Sequence, residues 1–389
     1  MGKNNAVQQV NSSRKKNWFH NVFLRFIPRK KDKTIWIFSS YLGRYQDNAK
    51  YLFEYASKHI EGVECIYFVN DQVDQDQLSK NGLKSVLIDS KEARRVAKKA
   101  GVSFYTHGID DFGDYIYNYN SYVVALWHGV GFKEMYYADR NFKDNIVKKI
   151  YRGLFSYVHR DLSIATSKYA FDCYAKDFLL KKNSQYEIIG QPRNDVFFEK
   201  KETNKKNYKM LLYAPTYRRL DQDNAVIKSF IDYFSSVEGQ KFLKDKGFKL
   251  FVRLHPITDS IDIPESDVVI NACELNGQQL LLDTDVLITD YSSIATDFAI
   301  SKKQVIIYAP DFTRYTSVEP MFVGSERIYE HPDVCHNIED IVNQINQGNL
   351  NITNEFNNLL NTDLEGNYCF KICSAIINRL NLNKKASLK

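Results

Sequence analysis

The sequence predicts an α/β chain built as two doubly wound halves, and three observations predict it. Short apolar runs alternate with longer amphipathic stretches from Thr34 onward, and these runs fall into two series. A polar, lysine-rich stretch from Lys200 to Asn207 separates the series. The chain has 389 residues and is 44% hydrophobic, which is more than one core usually organises. Continuous apolar strands with helices between them are the pattern of parallel sheets covered on both faces.

The chain opens with a polar start, Met1 to Ser13, that lacks a signal-peptide core. Arg14 to Lys31 then carries seven Lys or Arg and no acid, interleaved with Trp18, Phe19, Val22, Phe23, Leu24, Phe26 and Ile27. As a helix ending before Pro28, it places residues 18, 19, 22, 23 and 26 on one face with basic flanks, the pattern of an interfacial helix suited to anionic headgroups. Its plain alternative is a first helix docked on the protein's own core. Expected strands follow at Ile35–Phe38, Cys65–Val69, Ser85–Ile88, Val102–Tyr105 and Tyr122–Leu126, with helices near 46–59 and 91–99. The second series runs through Met210–Tyr213, Lys249–Leu254, Val268–Ile270, Val286–Thr289 and Val305–Tyr308, with helices at 224–245 and 292–300. Glu365 to Leu380 reads as a helix with one apolar face that packs on a domain. The expected organisation is therefore a basic segment over 1–33, one domain over 34–200 and another over 208–389.

Composition excludes several classes. A formal net charge of +6 in so long a chain is not that of a globally basic nucleic-acid binder. No run of eighteen apolar residues spans a bilayer, so the protein is expected to stay on the side where it is made. The six cysteines are scattered and form no paired CxxC pattern, which fits a reduced protein without structural zinc; no metal and no cofactor is assigned. Neither a Walker A sequence nor a Gly-x-Gly-x-x-Gly follows a strand, and Gly-x-Ser-x-Gly is absent.

Ligands in doubly wound sheets bind beyond the carboxyl ends of strands, so the residues there carry the functional reading. Trp127-His128-Gly129-Val130-Gly131-Phe132-Lys133 follows the strand at 122–126. His128 sits at the strand exit between glycine-permissive backbone, where an imidazole is able to accept a hydroxyl proton near neutral pH. Arg253-Leu254-His255-Pro256 ends another strand, with alternation turning Arg253 and His255 to one face. The two histidines, one per half, are expected to face each other across a cleft. For each, the plain alternative is a satisfied structural histidine.

Thr289-Asp290-Tyr291-Ser292-Ser293-Ile294-Ala295-Thr296-Asp297-Phe298 follows the strand at 286–289. Ser292 and Ser293 fall where a helix begins, so free amides and hydroxyls converge as an anion site, and Asp297 shares a helix face with Ser293. N-capping alone is the alternative. Tyr213-Ala214-Pro215-Thr216-Tyr217-Arg218-Arg219 follows another strand and offers Thr216 and a guanidinium fork from Arg218 or Arg219 for phosphate, with ordinary surface arginines as the alternative. In Gly190-Gln191-Pro192-Arg193-Asn194-Asp195, Arg193 and Asn194 are substrate-binding candidates, while turn and capping roles compete for Asn194 and Asp195.

Taken together, these residues resemble the CDP-glycerol glycerophosphotransferase family of teichoic acid and polyol-phosphate capsule synthesis. The family's Trp-His-Gly, Gly-x-Pro-Arg-x-Asp, Tyr-Ala-Pro-Thr-x-Arg, Arg-x-His-Pro and Thr-Asp-Tyr-Ser-Ser motifs occur here in order, and Ser39 to Tyr51, with Asp47-Asn48 before the first helix, looks like the family's opening segment. The resemblance implies a GT-B-like fold, two Rossmann-like domains facing a central cleft: an acceptor domain over 34–200 and a CDP-polyol donor domain over 208–389. It implies that His128 deprotonates an acceptor hydroxyl, that His255 partners the donor diphosphate, and that Arg218, Ser292, Ser293 and Asp297 surround the donor, with Arg193, Asn194, Thr216, Arg253 and Asp290 completing the substrate-binding set. The implied reaction moves glycerol phosphate from CDP-glycerol to an undecaprenyl-diphosphate-linked saccharide at the cytoplasmic face of the membrane and releases CMP. The protein would lie peripherally on an anionic lipid surface and take no nucleic acid. Val130-Gly131-Phe132 departs from the threonine, proline and leucine common in family polymerases, leaving acceptor choice open. Length favours a primase, while CDP-ribitol and a polymerising role stay open. Two readings of other classes compete: a GT-B glycosyltransferase using a sugar nucleotide, and a catalytically silent membrane scaffold.

Overall fold

The computed structural model describes residues 30–113, 120–134, 160–178, 180, 183–199, 206–218, 224–255, 261–383 and 386–388. The basic amphipathic stretch at 14–29 and much of the stretch at 200–207 lie outside them. Fourteen strands follow in chain order: β1 Asp32–Phe38, β2 Ile60–Glu61, β3 Glu64–Val69, β4 Ser85–Leu87, β5 Ala100–Tyr105, β6 Tyr122–Ala125, β7 Leu162–Ala165, β8 Tyr186–Ile188, β9 Lys209–Tyr213, β10 Phe248–Val252, β11 Val269–Asn271, β12 Val286–Thr289, β13 Gln304–Ile307 and β14 Ser387–Leu388 among the described residues.

The chain divides into two compact units. One comprises the chain through His128 together with Lys143–Asp195 and Asn367–Lys389; the other takes Gly129–Phe142 and Val196–Gly366. The first unit holds a parallel sheet in the order β4-β3-β1-β5-β6-β7-β8, beside an antiparallel pair of β14 with β2. Trp36, Phe38, Tyr67, Phe104 and Val124 fill its core on one face. The second unit holds a parallel sheet in the order β11-β10-β9-β12-β13. Helix Asn224–Ser235 packs Ile227, Phe230, Ile231 and Phe234 into that unit's core at helical spacing. Both sheets run as buried apolar strands because helices cover their faces, in keeping with the mixed α/β reading.

The observed division differs from the expected 34–200 and 208–389 in two places. The chain leaves the first unit directly after His128, so the Trp127–Lys133 motif is shared between units. The last helix, Tyr368–Arg379, belongs to the first unit, because it sets Tyr368, Cys369, Ile372, Cys373 and Ile376 into that unit's core. Each large apolar side chain so buried contributes about 1.5–3 kcal/mol. Asp195 ties the helix down, its carboxylate accepting from the Tyr368 and Cys369 amides at 2.6 and 2.8 Å, so this residue is a cap as one sequence reading had it. Gly190, with φ +130°, is pressed so closely on Tyr368 that a Cβ would stand 2.6 Å from its ring.

Candidate functional site

In the first unit, the carboxyl ends of three neighbouring strands, β1, β5 and β6, lead into Tyr41, His107 and His128. Trp127, the residue before His128, adopts φ 61°, a left-handed conformation that costs a bulky residue roughly 1–3 kcal/mol. Three restraints offset that cost. The Asn48 side-chain amide donates to the Trp127 carbonyl at 2.8 Å. The Arg193 guanidinium donates to the His128 carbonyl at 2.6 Å and pairs with the Asp47 carboxylate at 2.6 Å. The Trp127 ring packs on Tyr174 and Phe178 at centroid distances of 5.2 and 4.8 Å. Asp47 is itself left-handed, φ 63°, at the start of helix Asp47–His59. The outcome is a histidine whose main chain is gripped from two distant parts of the sequence.

The His128 Nδ1 faces the Thr106 carbonyl at 3.5 Å. A carbonyl only accepts, so Nδ1 carries the proton and Nε2 keeps its lone pair. Burial, and then the Arg193 charge, hold the imidazole down to about 4, which leaves it neutral near pH 7. A neutral imidazole at a strand exit leaves Nε2 able to accept a proton, as a weaker base than a free histidine. Arg193 is thereby a brace for this loop, and Asn194 is buried beside it in the turn Pro192–Phe197.

In the second unit the expected phosphate fork is otherwise engaged. The side chain of Arg218 is 1% exposed. It pairs with Asp290 at 2.8 Å and Asp311 at 3.0 Å, and donates to the Thr216 carbonyl at 3.0 Å. Burial works against its charge, yet Asp290 and Asp311 hold the guanidinium above its usual pKa. Arg218 and Asp290, expected as substrate contacts, pair with each other and with Asp311 here and so frame the loop. Asp290 also accepts the Thr216 amide at 2.7 Å. The Tyr291 hydroxyl donates to Asp311 at 2.8 Å, and its ring lies under the guanidinium at 4.9 Å.

Arg253, also expected as a substrate contact, is held by main-chain carbonyls. β10 stops at Val252, before the expected end, and the guanidinium donates to the carbonyls of Ala272, Cys273 and Leu275, holding the turn before helix Gly277–Asp283. His255 is exposed, with Tyr217 beside it at 5.9 Å. Burial, and then the Lys133 charge, lower its pKa. Thr216 Oγ1, buried, has no hydrogen-bond partner among the described residues. Ser292 and Ser293 are half-buried ahead of the six-residue helix Ile294–Ala299, and Asp297 is buried within it.

The structure thus joins His128 with Arg193 in one unit and Thr216 with Arg218 and Asp290 in the other. The sequence reading missed His107 and Asp111, although His107 leaves β5 as His128 leaves β6 and the same strand-exit rule would have found it. It also missed Asp311, whose signal was Pro310 ending the run after β13.

Comparison with known proteins follows the same lines. Residues 20–362 match the family model described as CDP-glycerol:poly(glycerophosphate) glycerophosphotransferase. A teichoic acid glycerol-phosphate primase of Bacillus spizizenii is 30% identical over 204 residues, covering 49% of this chain and 51% of the primase. A teichoic acid poly(ribitol-phosphate) polymerase of the same organism is 28% identical over 337 residues, 80% of this chain and 50% of the polymerase. The match thus spans about half the length of these curated relatives. Among solved structures, the wall teichoic acid polymerase TagF superimposes with a TM-score of 0.70 at 18% identity, over 96% of this chain and 98% of that one. A TagF variant has also been solved after a soak with CDPG.

Proposed function

Because this chain belongs to the CDP-glycerol:poly(glycerophosphate) glycerophosphotransferase family, we propose that it transfers glycerol phosphate from CDP-glycerol to a lipid-linked saccharide, releasing CMP. The observation that carries the reading is His128, a buried imidazole held neutral with Nε2 unprotonated at the carboxyl end of a central strand. In this reading the acceptor hydroxyl gives its proton to His128 Nε2. The oxygen forms a bond to the donor's β-phosphorus, and the bond from that phosphorus to the oxygen bridging the α-phosphorus breaks, its electron pair leaving on CMP.

His255, Lys133 and Thr216 meet the donor phosphates in this reading, by hydrogen bond and charge, with Ser292, Ser293 and Asp297 completing the donor side. The Lys133 charge already felt by His255 supports that assignment. A transferring phosphoryl group spreads charge over its oxygens, and fixed positive or dipolar groups answer it. Within this reading a primase role is preferred on chain length, with polymerisation the alternative that the number of units added would reveal. The test is nucleotide release from CDP-glycerol, CDP-ribitol and UDP-sugars with a lipid-disaccharide acceptor. CMP from CDP-glycerol alone is expected; UDP from a sugar nucleotide, with no CMP, would overturn the reading.

The proposal places the protein peripherally on the cytoplasmic face of the membrane. Among the described residues no helix is long and apolar enough to cross a bilayer. The basic stretch at 14–31 supplies the attachment, each basic residue near an anionic surface adding about 1 kcal/mol. Removing residues 1–31 is expected to abolish sedimentation with phosphatidylglycerol vesicles while sparing turnover of a soluble acceptor. Equal sedimentation of both forms would refute the attachment.

A further inference from the structure

Beside His128 lies a second imidazole that the reaction as written does not use. β5 and β6 are neighbours in the sheet, and neighbouring strands run about 4.8 Å apart, so side chains just beyond the paired Tyr105 and Ala125 come within stacking reach. His107 and His128 meet face to face, with ring centroids 3.7 Å apart and planes 5° from parallel. On its other side His107 meets the Tyr41 ring at 4.8 Å.

The plane of His107 is set by its own neighbours. Its Nδ1 lies 2.8 Å from the Thr106 hydroxyl, which lies 3.2 Å from the Asp111 carboxylate and 3.0 Å from the Ser40 hydroxyl. The same carboxylate accepts from the Thr106 and His107 amides at 2.9 Å each. This loop would therefore have to be rebuilt for the ring to turn.

Two imidazolium rings this close repel, whereas one cation over one neutral ring attracts, as any cation over a π face does. The pair therefore holds at most one proton. The charged groups facing it are Arg193, paired with Asp47, on the His128 side, and Asp111 on the His107 side. Burial, then His128 and Arg193, push His107 down to about 3, and burial and Arg193 hold His128 at about 4, so both rings rest neutral near pH 7 and the reaction's proton goes to His128 through its role as the base.

We propose that His107 is a positioning residue for the transfer reaction: stacked on His128, it fixes the plane of the base and stabilises the imidazolium that forms there. The proposal rests on His128 being the base. His107 takes no part in bond making; the acceptor proton stays on His128 until product leaves.

The experiment compares His107→Ala and His107→Phe in the full-length protein, the second keeping a flat ring without nitrogens. CMP release is followed across pH, and the His128 ring is titrated by imidazole NMR. The expected result for His107→Ala is a roughly ten-fold lower kcat. The donor KM stays unchanged, and both the acid limb and the His128 titration move to lower pH as the imidazolium loses the ring face that stabilises it. His107→Phe should restore most of kcat and return the titration toward wild type. An Ala variant with wild-type kcat and pH profile would overturn the proposal, and so would a Phe variant as impaired as the Ala one. If His128→Ala still releases CMP at full rate, the base assignment fails instead, while the NMR titration still decides whether the rings are coupled.

Discussion

Replacing His128 with Ala lowers the rate of CMP release by about 10²–10⁴-fold, the range a positioned general base contributes. The loss falls on kcat. The residues proposed to meet the donor belong to the other unit, so the KM for CDP-glycerol is expected to change little. Wild-type activity is lost as pH falls through about 4, where the imidazole takes up a proton, and it is retained above, where the ring is neutral. The same assay on Arg193→Ala adds a control, since that change frees the His128 carbonyl and leaves Trp127 strained with one restraint fewer. A His128→Ala protein within three-fold of wild type would remove histidine from the chemistry.

Arg218→Ala has the largest expected effect on stability. It leaves Asp290 and Asp311, 3% and 11% exposed, as uncompensated neighbouring carboxylates, a change that costs about 3–5 kcal/mol. Whole-chain melting is a poor measure of it, because two units need not unfold together. All three tryptophans precede residue 129, so none belongs to the second unit and their fluorescence is no direct probe of it. Amide hydrogen exchange of β9 and β12 reads it directly, and protection there should fall by roughly two to three orders of magnitude. A triple change of Arg218→Met, Asp290→Asn and Asp311→Asn should regain part of the loss, since replacing a whole buried ion cluster is far milder than removing one member. Exchange unaltered in Arg218→Ala would show that the cluster carries no stability.

The strands were legible because both sheets are parallel and doubly covered, which turns each strand into an unbroken apolar run such as Val286–Thr289. β7 escaped because it is short and abuts polar turns. Motif positions were legible for the same topological reason, since strand exits are where chemistry collects. Which polar groups were already spent was not legible. Arg218 and Arg253 look identical in sequence to phosphate-binding arginines, and the partners they take within the chain, Asp311 and the carbonyls of Ala272 and Cys273, lie too far off in sequence to be read. The placement of Tyr368–Arg379 was hidden for a similar reason: an apolar helix face shows that it will be buried, and says nothing of which core receives it.

That last helix bears on how the protein is made. Translation delivers residues in order, and domains ordinarily mature as they emerge. Here the first unit cannot close until residue 379 has left the ribosome, because Ile372 and Ile376 fill a core begun by Trp36 and Phe38. The uninterrupted stretch Val196–Gly366 of the other unit is already outside by then. The polypeptide's second unit is therefore free to mature before its first, and His128 gains its final setting only near the end of synthesis.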